Sequence, residues 1–426
     1  MRWYWIVIIL CSYGVLKEFR PSEPYLYQYQ HENLKISEDT LNGEVYPYWT
    51  YSYLVALIPA LLLTDILLYK PILILESLSY IGCWLTLIFG RSVFSQIAGQ
   101  IFYGCATATE VAYFSYIYVK VEPKDYARTT SWTRAALQAG KCVSYFLSEL
   151  IILTKIGGYQ TLNYISLTSL SLTFIFANML PFVGWKEVVT RETELKETIN
   201  DELTEHPKIS ESYKEFVLEC VKNFARRTKK VFTDLHVLKW SFWWAMATCG
   251  QFQVGNYIQT LWAEEQPTDA DNYNGFVEAA NTMISTIIIL LLQKLEVNWN
   301  KWGEFWLAFA SLFDFGILLF MALTKSLWVM YIGYAIFRVI YQAMITIAQY
   351  NIVCRISPYS YGFVFGMDTF IALALQTILT TVVVNEHGLN LPIRTQFVVY
   401  SGFYLFIGLV FFIVIISRLC VAYAKK

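Results

Sequence analysis

Charge is the scarcest commodity in this chain: Asp, Glu, Lys and Arg make up 15% of its 426 residues, against 56% hydrophobic residues. A soluble domain carries about 25% charged residues, so an ordinary water-facing globule is excluded. The net charge of −1 excludes the basic face that nucleic acid requires. Histidine is rarer still. His31, His206, His236 and His387 lie in connections or at the ends of apolar runs, none at metal-ligand spacing. The eight cysteines, Cys11, Cys83, Cys105, Cys142, Cys220, Cys249, Cys354 and Cys420, stand singly without a Cys-x-x-Cys pair. They read as small buried hydrophobes, not as a disulfide or zinc framework. The chain also lacks an Asn-x-Ser/Thr sequon and a Gly-x-x-x-x-Gly-Lys-Ser/Thr phosphate loop. Direct use of ATP, a cofactor and an enzymatic reaction are therefore not expected.

What is abundant is long apolar sequence. A bilayer-crossing helix needs about 20 mostly apolar residues. Twelve stretches qualify: roughly 3–28, 49–69, 71–90, 94–119, 127–153, 160–183, 237–262, 272–293, 302–324, 327–354, 361–385 and 393–419. The fold class is therefore an all-α integral membrane protein with twelve transmembrane helices in two six-helix bundles. An N-terminal bundle covers 1–183, a charged cytoplasmic linker 184–236, and a C-terminal bundle 237–426. That layout encloses a central cavity. The first stretch reads as a span broken at Pro21 and Pro24, not as a signal peptide, because no small-x-small cleavage site follows it. Broken transporter helices turn charges and free backbone groups toward a cavity.

Lys and Arg concentrate in the connections that share a side with the N-terminus, the linker and the C-terminus, so both termini are expected in the cytoplasm. The opposite connections are acidic: Glu32, Glu38, Asp39 and Glu44 in one, Glu264, Glu265, Asp269 and Asp271 in another. Such a rim attracts cations; it equally serves only to solubilise the loops. The linker ends in Arg226-Arg-Thr-Lys-Lys230 and suits a tether with an anionic-lipid-binding end.

The residue that most needs explaining is Glu110, in the apolar and aromatic run Phe102–Tyr118. An ionisable group at membrane depth costs several kcal/mol unless it meets a partner, a substrate or water. Thr107, Glu110 and Tyr113 share a helical face, and a carboxylate beside aromatic rings suits an organic cation. The competing reading pairs Glu110 with Arg134 or Lys141. Glu23 lies in the broken helix, and Tyr46 and Trp49 stand near the outer mouth. Asp65, ahead of Lys70-Pro71, suits a cytoplasmic gate or a helix-end pair. In the second half, Gln253, Asn256 and Tyr257 share a side, with Trp262 a turn beyond. Glu278, Asn281/Thr282 and Ser285 form a second stripe, Arg338, Gln342 and Gln349 a third, and Asp368 and Gln376 a fourth. One hypothesis pairs Glu278 with Arg338 across the bundles, and a proton relay would need carboxylates such as Glu110 or Glu278.

Seven segments resemble the reduced folate carrier and thiamine transporter family of the major facilitator superfamily. They are Arg20-Pro-Ser-Glu-Pro-Tyr25, Tyr46–Leu54, Leu63-Thr-Asp65 with Tyr69-Lys-Pro71, Phe102–Tyr118, Leu162–Leu167, Tyr273–Glu278 and Gly388–Pro392. Lys17-Glu-Phe-Arg20 and the short C-terminus look most like the nematode folate-transporter-like members. The resemblance implies the major facilitator fold, with Glu23, Tyr46, Trp49, Glu110, Tyr113, Asn256, Tyr257, Trp262 and Glu278 around a substrate. Folate carriers of the family have arginine at the Glu110 place and lysine at the Gln376 place. Thiamine transporters have Glu and Gln there. Asp65, Arg134 and Arg338 are taken as gate or bundle pairs. The expected function is a plasma-membrane, multi-pass vitamin transporter working by alternating access on thiamine or a similar organic cation. Reduced folate is the alternative, a non-transporting vitamin receptor the second, and coupling to a proton or organic anion stays open.

Overall fold

A computed structural model describes residues 3–120, 126–186, 213–218, 222, 234–266, 273–292, 299–353, 361–385 and 388–424. All regular structure among them is helical. Helix α1 (Trp3–Glu18) stops just before Pro21. Proline has no N–H to donate and keeps the residue before it out of the α region, so the helix cannot continue. The chain then crosses in short turns: a 3₁₀ turn at Glu23–Tyr25, one α turn at Leu26–Gln28, and π turns at Tyr29–Asn33 and Leu41–Val45. It resumes as α2 (Pro47–Leu67), with proline at the first helical position where no N–H is needed.

A tight reversal joins α2 to α3 (Lys70–Phe89), with Leu68 at φ 61° and Tyr69 at φ 69°. The expected fourth span is two helices, α4 (Val93–Thr109) and α5 (Val111–Lys120), interrupted at Glu110. Helices α6 (Tyr126–Leu153) and α7 (Tyr159–Met179) complete the first bundle. The second contains α8 (Leu235–Ala263), α9 (Asn274–Leu292), α10 (Trp299–Leu323), α11 (Leu327–Val353), α12 (Tyr361–Val383) and α13 (Ile393–Ala424). Contacts within the bundles join α1 to α6 and α7, α4 to α2 and α3, α10 to α13, and α9 to α11. The halves meet along α2 with α12 and α6 with α9.

Six of these helices have the length and hydropathy to cross a membrane on composition alone. Of the others, α1, α4 and α5 are shorter than a full span, with 16, 17 and 10 residues, because the chain breaks after Glu18 and at Glu110. Along α10, Phe305, Phe309, Phe313 and Phe320 point outward from the bundle. Apolar exposure of this kind would be a liability in water and is the natural face toward lipid. Charges meanwhile turn inward. Glu304 takes Lys239 at 2.5 Å and Arg418 at 2.7 Å, tying α8, α10 and α13 together at one end.

Arg394 binds the carbonyl oxygens of Ala322 (3.1 Å) and Thr324 (2.6 Å) at the close of α10, where unpaired carbonyls need donors. It also pairs with Glu264 at 2.6 Å and with Glu265. Two carboxylates of the expected acidic rim thus share one arginine from the first turn of α13, which leaves one net negative charge between them; Asp269 and Asp271 lie outside the described residues. Most of the linker does too. Of it, the helical stretch 213–218 sets Tyr213 against the end of α2, its hydroxyl 2.9 Å from the Ile66 carbonyl.

Helix α4 approaches α2 so closely that a Cβ at Gly104 would meet the Tyr53 nitrogen at 2.8 Å and the Trp49 oxygen at 2.9 Å. Backbone atoms cannot swing aside as a flexible side chain can. Gly104→Val is therefore expected to destabilise by about 1–3 kcal/mol or more and to lower the thermal midpoint of the purified protein. Gly402→Ala, with nothing within 4 Å of its Cβ, is expected to leave the midpoint unchanged or slightly raised.

Candidate functional site

Between the bundles lies a cavity of about 470 Å³. Its first-bundle wall comes from the break after α1 (Arg20, Glu23, and Tyr46 just before α2), from α2 (Trp49), α3 (Trp84), α4 (Tyr103) and α6 (Lys141, Tyr145). Its second wall comes from α8 (Phe252, Asn256, Gln259), α9 (Glu278) and α11 (Tyr334, Arg338). The wall is thus aromatic with charges of both signs, a mixture that can bind a flat polar organic molecule.

The break in α1 puts Glu23 on a single 3₁₀ turn instead of a helix face, and three donors converge on it. The hydroxyls of Tyr103 and Tyr145 each donate to one of its carboxylate oxygens at 2.7 Å, and Arg20 lies 3.1 Å away. Arg20 is itself enclosed by rings, with its guanidinium 4.9 Å from the centre of Tyr80, 5.6 Å from Tyr103 and 5.9 Å from Trp84. It also pairs with Glu18 at 2.8 Å, and Glu18 takes Lys141 at 3.2 Å.

Deeper in the bundle, Lys17 is fully buried, 2.8 Å from Glu110, 3.1 Å from Glu76 and 3.8 Å from Glu18. Tyr13 donates to Glu76 at 2.6 Å. Glu110 is thus in an ion pair within the bundle, as the competing reading has it, but neither Arg134 nor Lys141 is its partner. Lys141 is held by Glu18, and Arg134 reaches across to Gln349 of α11 at 3.1 Å. Lys17 takes that place because it projects from the last turn of α1 into the notch where the fourth span is interrupted.

Of the residues expected to contact substrate or to pair, Glu23, Tyr46, Trp49, Asn256, Glu278 and Arg338 line the cavity, as do Lys141 and Gln342. Trp49 meets Phe252 edge-on at 5.5 Å and so spans both bundles. The Asn256 side-chain nitrogen and the Arg338 Nε have no protein partner among the described residues. Four others stand elsewhere. Glu110 is in the Lys17 pair. Tyr113 is fully buried, stacks on Tyr13 at 5.7 Å and donates to the Leu10 carbonyl at 3.3 Å. Tyr257 and Trp262 are in the core of the second bundle, with Trp262 edge-on to Tyr331 and Tyr334 at 4.9 and 5.2 Å. Helical periodicity assigns these residues to a face, but a face can meet a neighbouring helix as readily as a cavity. The side chain of Asp65 lies outside the described residues.

A further correction concerns Glu278 and Arg338. Both belong to the second bundle, and no ion pair joins them among the described residues. Tyr334 intervenes: its hydroxyl donates to Glu278 at 2.9 Å, and Arg338 lies 5.8 Å from its ring centre. Arg20, Tyr103, Tyr145 and Tyr334 are site residues that sequence reasoning misses. Arg20 carries a visible signal, a charge inside an apolar stretch, whereas nothing marks Tyr145 or Tyr334 among so many tyrosines.

At the end that carries the break after α1, the bundles are stitched by mostly uncharged groups. Gln259 accepts from the Tyr27 nitrogen at 3.2 Å and donates to the Glu23 carbonyl at 3.1 Å. Gln28 donates to Gln266 at 3.2 Å, and Thr260 to Asn42 at 3.0 Å. Glu149 of α6 accepts from the Tyr25 hydroxyl at 2.6 Å and from the Phe276 nitrogen, in the first turn of α9, at 3.2 Å.

Comparison with known proteins bears on this arrangement. A family profile described as Reduced folate carrier matches residues 1–399. The chain is 45% identical to Folate-like transporter 3 of Caenorhabditis elegans, over 96% of this chain and 95% of that one. It is 36% identical to Thiamine transporter 2 of Macaca fascicularis, over 96% and 89%. The crystal structure of the nucleoside transporter NupG superposes with a TM-score of 0.64 over 97% of this chain and 98% of that one, at 12% identity, a likeness of fold.

Gly275, at the start of α9, is what lets the halves approach: a Cβ there would meet the Ser148 hydroxyl and the Tyr145 carbonyl at 2.8 Å and Glu149 at 2.9 Å. Gly275→Val is expected to hold the bundles apart. In a variant whose only cysteine is the cavity residue Cys83, a membrane-impermeant maleimide is expected to react several-fold faster once that substitution is added. An unchanged rate means that the α6–α9 approach does not govern access.

Proposed function

The chain belongs to the reduced folate carrier family, and from that premise we propose that it carries a water-soluble vitamin across the membrane by alternating access. Thiamine or a similar organic cation is the substrate this reading favours. One observation carries it. In the charged network behind the first-bundle wall, four carboxylates (Glu18, Glu23, Glu76, Glu110) meet three cations (Lys17, Arg20, Lys141). A buried excess of one negative charge is unfavourable in a low-dielectric setting and is relieved by a bound cation. Glu23 presents that charge at the cavity among aromatic rings, which add cation–π attraction. Trp49 and Phe252 supply flat faces from the two bundles, Asn256 a free donor, and Glu278 a second carboxylate on the far wall. Glu110, Tyr113, Tyr257 and Trp262 act in this scheme from behind the wall, and enter the site only as the bundles rearrange.

The moving bodies are the bundles 1–183 and 237–426, with 184–236 as a cytoplasmic tether, both termini cytoplasmic and the plasma membrane as the setting. Arg134 and Arg338 serve as bundle contacts, and Asp65 as a gate at the inner end of α2. A second reading, reduced folate, is favoured by Arg20 and Lys141 on the first-bundle wall and Arg338 on the facing one, which suit a dianion, and by the name of the nematode relative. Coupling to a proton or an organic anion is compatible with either.

Parallel uptake of labelled thiamine and labelled folate, in cells expressing the chain, separates the two. Thiamine uptake is expected, and Glu23→Gln is expected to reduce apparent affinity by about thirty-fold or more, because truncating one partner of a buried, hydrogen-bonded charge pair costs about 2–5 kcal/mol. Glu110→Gln is expected to weaken thiamine uptake as well. Folate entering in place of thiamine transfers the assignment to the second reading, and saturable binding without uptake removes the transport reading.

A further inference from the structure

The cation site that Glu110 and Tyr113 suggest is built, and the chain itself fills it. The Lys17 ammonium is 2.8 Å from Glu110 and 3.1 Å from Glu76, and lies 5.0 Å from the centre of the Tyr113 ring. Two carboxylates and an aromatic face are the groups by which proteins bind an organic ammonium. Glu18, the third carboxylate nearby, has its own cations in Arg20 and Lys141. The Lys17 side chain is 0% exposed, whereas Glu110 keeps 31% of its side chain open. A ligand reaching Glu110 from that open side meets a carboxylate already occupied.

We propose that Lys17 is a specificity-determining residue, a tethered cation that holds the Glu110–Tyr113 site against organic cations from solution and so lowers the affinity of the protein for them. An external cation must displace an ammonium held by two carboxylates at short range. An anion meets no such competitor. Selectivity by charge is thereby set from a residue behind the cavity wall. Its bearing on thiamine rests on the cation reading above; the site itself does not.

The test uses full-length Lys17→Ala/Glu76→Gln protein in detergent. That double substitution removes one charge of each sign, leaves Glu110 free and vacates the place of the ammonium. Propylammonium chloride, compared with sodium chloride at equal ionic strength, is expected to raise the thermal midpoint of this variant and to bind it at least about ten-fold more tightly than the parent. Adding Glu110→Gln is expected to abolish the gain. Lys17→Gln, which keeps a donor for both carboxylates, is the second variant and is expected to gain in the same direction. Labelled thiamine, measured on the same proteins, is expected to follow propylammonium. A gain for propylammonium alone supports the tethered cation and overturns the thiamine reading. No gain in either folded variant, or a gain that survives Glu110→Gln, overturns the tethered cation.

Discussion

Burying an ammonium in the middle of a helical bundle costs several kcal/mol unless charges of opposite sign surround it. Lys17 meets that condition with Glu76 from α3 and Glu110 from the break between α4 and α5. Much of the first bundle is arranged around this requirement. Helix α1 must end where its last turn reaches both carboxylates, and the fourth span must open at Glu110 to present one of them. Glu18 and Arg20, on either side of the α1 terminus, extend the network to Lys141 of α6 and to Glu23 on the cavity wall. Four elements distant in sequence are thereby held in one register. Removing Lys17 would leave Glu76 buried without a cation, which is far costlier than losing a surface pair.

The seam between the bundles follows a different logic. Apart from Glu149, the contacts described at the end that carries the break after α1 are made by amides, hydroxyls and backbone groups, and neutral hydrogen bonds contribute only about 0.5–1.5 kcal/mol each. Such groups can exchange protein partners for water at modest cost. The contrast between a charged bundle interior and a seam made mostly of neutral groups suits the rocking of rigid bodies proposed above. Glu23 stands where the two regimes meet. Its carboxylate belongs to the charged network, while its backbone carbonyl takes Gln259 from the other bundle. A change at its side chain is therefore felt directly at the seam.

The layout of the chain is largely legible in its amino-acid sequence. Lengths of apolar residues mark the helices, and Pro21 and Pro24 mark the broken one, because proline acts locally whatever lies around it. Glu23, Tyr46, Trp49, Asn256 and Glu278 are legible as cavity residues for related reasons: each is a polar or amphipathic group in a stretch where lipid disfavours it. Arg338 is legible only as a charge to explain, and its expected role is a gate or bundle pair. Glu110 stands out on the same grounds, yet its partner does not, since Lys17 is 93 residues away along the chain. Spacing along one helix carries no information about which residue of another helix it meets. Tyr113, Tyr257 and Trp262 share that difficulty. An aromatic residue at helical spacing serves equally well against a substrate or inside a core.

Composition and local chemistry by themselves determined that this is a helical membrane protein with charges at membrane depth, that its first span is interrupted, and that those charges need explanation. All of this follows from the solvent, because hydrocarbon penalises a free charge or an unbonded backbone group wherever it occurs. Which charges pair, and which remain at the cavity, was decided only by tertiary structure. Coulombic attraction in a low-dielectric interior depends on separations of a few ångströms, and those are set by how the helices pack. The same packing assigned the ammonium of Lys17 to Glu110 and left Glu23 on the cavity wall.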